Sequence, residues 1–110
     1  MARSVARYPE FEREVKWRVT IRAAADADLR EARAWYDRQR EGLGDELLLA
    51  VADAMLRLEE APGRWPIYYR DFRRLMTDRF PYKIFYRIEG EAVIVFRILH
   101  AARDHKRELE

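Results

Sequence analysis

Basic and titratable groups gather in the second half of the chain: Arg73, Arg74, Lys83, His100 and Arg103, with Asp104 and His105 beside the last of them. An imidazole with an ordinary pKa near ~6.5 can act as a general acid or base. Arginine and lysine can hold the charge that develops during attack on phosphorus. Such a set suits phosphodiester cleavage, in which a base removes a 2′-hydroxyl proton and an acid protonates the leaving oxygen. The alternative is that His100 only ends a strand with a local hydrogen bond. Two histidines and no cysteine, without a ligand spacing, predict no metal centre. A Gly-rich phosphate loop and a nucleophile elbow are both absent from the sequence. No cofactor is expected.

Arg97 poses a separate question. It sits in the middle of "AVIVFRILH", the most apolar run of the chain. An arginine buried without a partner costs several kcal/mol, on the order of a whole buried ion pair. Either its stem packs on Tyr82 while its head reaches solvent or a carboxylate at the sheet edge, or it lies on an uncovered sheet face and binds an anion.

The elements that must position these groups follow from periodicity. "WRVTIR" alternates, with Trp17, Val19 and Ile21 on one face, and predicts a half-buried strand. The segment from Ala23 to Arg40 predicts a helix whose stripe is Ala25, Leu29, Ala32 and Tyr36, with Asp26 or Asp28 as cap or first-turn carboxylate. Gly42 and Gly44 punctuate its end, and a second helix follows, "DELLLAVADAMLRLEEAP", striped by Leu47, Leu48, Val51, Met55 and Leu58 and stopped at Pro62-Gly63. The pair forms an αα-hairpin. Strands follow: "IYYRDFRRLMTD", broken at Arg70-Asp71, then "FPYKIFYRI" and "AVIVFRILH" joined by a Glu89-Gly90 turn. That turn would set Tyr86 opposite Val93, Ile84 opposite Val95 and Tyr82 opposite Arg97. The other face would then carry Lys83, Phe85, Arg87, Ile94, Phe96, Ile98 and His100. "DHKRELE" predicts a short terminal helix capped by Asp104. Helices followed by strands predict an α+β fold, with the helix pair on one face of a mostly antiparallel sheet.

The 110 residues fit one domain. A hydrophobic fraction of 49% excludes a disordered chain. Without cysteine there is no disulfide framework, which fits a cytoplasmic location. No run of ~18 apolar residues predicts a membrane span. The N-terminus lacks the apolar core of a secretory signal. Net charge is +2 but uneven. Residues 24–64 hold ten carboxylates against six arginines, and residues 70–87 hold six bases against two carboxylates. The basic half suits an anionic partner.

The order of "WYDRQREGLGDEL", "FPYKIFY" and a final strand ending in His100 with Arg103-Asp104 resembles the RelE/ParE superfamily of type II toxin–antitoxin toxins, and is closer to its ParE-type members. The likeness covers roughly Trp17 to Asp104, within a single toxin domain over residues 16–110; residues 1–15 lie outside the pattern as an extension. The resemblance implies a toxin neutralised by a cognate antitoxin, plasmid-stabilising, and inhibiting DNA gyrase by contact. Operator DNA would be bound only through the antitoxin complex. The alternative it implies is a ribosome-dependent mRNA endoribonuclease, for which Arg73, Arg74, Lys83, His100 and Arg103 are the catalytic candidates. The nuclease's C-terminal tyrosine has no counterpart, since Leu109 occupies that region. A third alternative is a binding module that has lost toxicity. Candidates for target or antitoxin contact are Arg87, Arg97, Asp104, Trp35, Tyr36 and Leu48.

Overall fold

A computed structural model describes residues 16–102 and 105–110. The elements are β1 (Arg18–Ile21), α1 (Ala23–Gln39), α2 (Leu43–Glu60), a 3₁₀ turn (Pro62–Arg64), β2 (Ile67–Tyr69), β3 (Phe72–Met76), β4 (Tyr82–Glu89), β5 (Ala92–His100) and α3 (His105–Glu108). The architecture is α+β, as the run of helices before strands predicts. One five-stranded sheet has the order β1-β5-β4-β3-β2. β2 to β5 form an antiparallel meander, and β1 joins β5 in parallel. The break at Arg70-Asp71 is a tight turn, with Arg70 at φ 55. No helix among the described residues is long and apolar enough to cross a membrane.

The hairpin register differs from expectation. The turn lies at Gly90-Glu91, with Glu89 opposite Ala92 and Gly90 at φ 62. Tyr86 therefore pairs with Val95, not Val93. Beyond that pair, Phe85 lies opposite Arg97 and Phe96 is left over as a bulge. One inserted residue flips every later side chain to the other face. Ile98 thus joins the helix-side core with Val93 and Val95, while Phe96 and Leu99 face away. Ile84 pairs with Ile98 and Tyr82 with His100, rather than with Val95 and Arg97.

β5 is apolar on both sides because both of its faces are covered. Its helix-side residues pack under Ala25, Ala32, Leu47, Val51, Ala54 and Leu58 of the hairpin. On the opposite face Phe85, Leu99 and Phe72 enclose Leu109, just past α3. Tyr86 is fully buried and donates its hydroxyl proton to the Pro62 carbonyl. Burial pushes this phenol up to about 12.

The hairpin is set by the link between its helices. Gly42 takes the left-handed conformation at φ 89 and precedes α2, which begins at Leu43 rather than Asp45. Gly44 lies inside α2, where its N–H donates to the Asp37 carboxylate at 2.7 Å. A Cβ here would meet Arg33 Cγ at 2.7 Å, Asp37 Oδ1 at 2.8 Å and the Arg33 carbonyl closer still. Backbone against backbone leaves no room to yield. On the far side of α2, Arg79 bonds Glu46 and holds its carboxyl below the usual range. That contribution is present at neutral pH and fades as acid protonates Glu46.

Gly44→Ala is expected to destabilise the domain by roughly 1–3 kcal/mol, as overpacking does. Urea unfolding checks this: a lower midpoint with an unchanged slope is the expected result.

Candidate functional site

β1 ends at Ile21, opposite Val95, so the rest of β5 is flanked by β4 on one side and has no strand on its outer edge. The side chain of Asp28, one turn into α1, fills that gap. Its Oδ2 accepts the Ile98 main-chain N–H at 3.0 Å and Arg97 Nε at 2.7 Å. Its Oδ1 accepts Arg97 Nη2 at 2.8 Å. On the other side Arg97 Nη1 donates to Glu108 of α3 at 3.0 Å. Asp28 is therefore not the helix cap; the N-cap is Arg22, which makes no side-chain cap bond. The bidentate bond from Asp28 raises the pKa of Arg97, so the guanidinium stays charged at any physiological pH.

Arg97 accordingly has its stem at the bulge rather than on Tyr82, and its anions come from within the chain. His105 is buried, with Nε2 at 2.7 Å from the His100 carbonyl and its ring tilted against Phe85. This contact occupies the last carbonyl of β5. Two side chains thus close the edge that β1 leaves open.

The candidate catalytic set is divided between the two sheet faces. His100 lies on the helix side with its ring against Tyr82 at 5.4 Å, and its Nδ1 accepts the Ala102 N–H. Arg73 also faces the helix side and donates to the carbonyls of Trp65 and Gly63. Arg74 and Lys83 point to the opposite face. Arg103 and Asp104 lie outside the described residues, as does the extension of residues 1–15.

That opposite face is layered with cations on rings. Arg74 stands 4.2 Å from the Tyr68 ring, and Lys106 of α3 is 5.9 Å from the same ring. Arg87 and Arg22 lie 4.5 and 4.2 Å from Phe96. Arg87 is matched by Glu89 and Asp71. Arg74, Lys83 and Lys106 come from three elements, and none makes an ion pair among the described residues. Burial, and then the charge of Arg74, lowers the pKa of Lys83. An anion at this face would relieve that repulsion.

The helix side carries a groove of about 320 Å³ between α1 and the ends of β4 and β5. Asp28, Glu31, Ala32, Trp35 and Tyr36 supply one wall, and Tyr82, Ile98 and His100 the other. The α1 wall follows the i, i+3, i+4, i+7, i+8 pattern of one helical face. That spacing is present in the sequence, where Asp28 suits a cap or first-turn carboxylate rather than a groove wall. Trp35 is half exposed at the rim, and Leu48 is half-buried on α2.

Comparison with known proteins follows the same architecture. Residues 19–105 match the family described as the ParE toxin of type II toxin–antitoxin system, parDE. No curated protein matches the chain. Among solved structures, the chromosomal ParDE TA system from P. aeruginosa superposes with a TM-score of 0.70 at 16% identity, covering 79% of this chain and 98% of that one. The toxin–antitoxin complex RelBE2 from Mycobacterium tuberculosis gives a TM-score of 0.58 at 24% identity, covering 78% and 99%. At these identities the likeness is one of fold.

Replacing Arg97 by Met strands the Asp28 carboxylate and is expected to cost about 3 kcal/mol. Glu108→Gln keeps the shape of the contact and leaves Asp28 in place, so it is expected to cost less than about 1 kcal/mol. Thermal unfolding of the two variants beside the parent checks both the order and the gap.

Proposed function

We infer the function from the premise that this chain belongs to the ParE toxin family, and is the toxin of a type II toxin–antitoxin system. The finer reading is that it inhibits DNA gyrase by protein contact, without catalysis of its own, and is neutralised by a cognate antitoxin. The observation that carries this reading is the division of the titratable set. A general base must lie within hydrogen-bond reach of the proton it takes, with the charge-stabilising cations around the same reacting atoms. His100 and the Arg74–Lys83 pair lie on opposite faces of the sheet. The surfaces that remain are binding surfaces.

Two features suit the antitoxin. Leu49 and Leu56, seven residues apart on α2, are 70% and 55% exposed, the pattern an amphipathic helix covers. β2 has only three residues and begins at Ile67, opposite Arg73, leaving the Met76 end of β3 open to strand addition. Operator DNA would be reached through the antitoxin complex. A second reading, a ribosome-dependent mRNA endoribonuclease, is favoured by the unmatched cations Arg74, Lys83 and Lys106, which suit a phosphate backbone.

Purified toxin is expected to inhibit gyrase supercoiling in a saturable way and to leave mRNA intact in a translating extract. Normal supercoiling with cleaved mRNA would reverse the order of the two readings. For the antitoxin surface, Leu49→Glu with Leu56→Glu is expected to weaken antitoxin binding at least about tenfold, the effect of losing anchor residues. Both side chains are solvent-exposed, so thermal stability should stay within about 0.5 kcal/mol of the parent. Calorimetric titration against the antitoxin, paired with a melting curve, reads both.

A further inference from the structure

We propose that the groove between α1 and the ends of β4 and β5 is a receptor for a guanidinium, filled by an arginine side chain of the protein partner. Its volume of about 320 Å³ is at the low end of small-molecule sites, a size for one long side chain rather than a cofactor. Its walls are aromatic and continuous. Trp35 meets Tyr36 edge-on at 4.9 Å, Tyr36 meets Tyr82 at 6.1 Å, and Tyr82 meets His100 at 5.4 Å. Ring faces attract cations, and arginine more than lysine, because its planar group also stacks.

The charge of the groove points the same way. Two carboxylates line it, but Asp28 is consumed by Arg97 and the Ile98 N–H. Glu31 is exposed and makes no ion pair among the described residues. It stands one turn before Trp35 on the same helical face, so a cation over the indole falls within its reach. His100 turns its Nδ1 to the Ala102 N–H, 3.1 Å away. Residues 24–64, which supply the whole α1 wall, carry four more carboxylates than arginines. An anionic guest is disfavoured, and a purely apolar guest would leave Glu31 unused. Assigning the arginine to the neutralising partner rests on the function proposed above; the preference of the groove for a guanidinium does not.

The test is titration of the ¹⁵N-labelled protein with N-acetyl-arginine amide, following the Trp35 indole N–H by NMR. Trp35→Phe assigns that signal. A lone side chain should bind with Kd on the order of a few millimolar. The uncharged N-acetyl-norleucine amide should bind at least about tenfold more weakly, and Glu31→Gln should weaken arginine binding roughly fivefold, the scale of one partly exposed charge pair. Absence of a Trp35 shift, equal binding of norleucine amide, or unchanged affinity in Glu31→Gln would each overturn the receptor. A positive titration with full partner affinity retained by Glu31→Gln would overturn only the assignment to that partner.

Discussion

One carboxylate holds the junction on which the rest of the molecule depends. Asp28 reaches from α1 to the unpaired edge of β5 and does the work of a missing strand, accepting one main-chain N–H and both ends of a guanidinium fork. A part-buried acid or a part-buried base would each be costly alone. Together, with two hydrogen bonds between them and a third from the Ile98 N–H, they fix how α1 lies along the sheet. Glu108 extends the junction through Arg97 to α3, so one arginine ties the layer above the sheet to the helix below it. The bulge at Phe96 is what makes this reachable, because it resets the faces of β5 beside Arg97.

The same junction separates the two surfaces. With α1 held against β5, the aromatic groove forms on the helix side and includes His100. With α3 held below, Lys106 joins Arg74 at the Tyr68 ring on the far side. A sheet about one residue thick keeps these groups apart as firmly as distance would. The ParE family to which the chain belongs gives these two surfaces their context.

Much of this was legible in the sequence. The helices showed in the stripes Ala25–Leu29–Ala32–Tyr36 and Leu47–Val51–Leu58, and the strands in runs of β-branched and aromatic residues. The glycines at 42 and 44, on either side of Leu43, marked the hairpin, and the close approach at Gly44 explains why no side chain fits there. The register of the last hairpin was not legible. A bulge leaves no mark in a strand that is apolar on both faces, and the turn moved by one residue to put Gly90 at positive φ. Asp28 was misread because a carboxylate in the first turns of a helix ordinarily serves the helix itself. Its true partner is 69 residues away, and no local pattern announces a contact of that range.

The most direct measurement is hydrogen exchange at the Ile98 amide of the free toxin. No strand lies on its outer side, so its protection comes from a side chain alone. The account predicts exchange as slow as at core β-sheet amides, with protection lost when Asp28 is replaced by Ala while Val93 remains slow. Fast exchange at Ile98 in the parent protein would contradict it, and would mean that the Asp28–Arg97 junction does not hold the edge of the sheet.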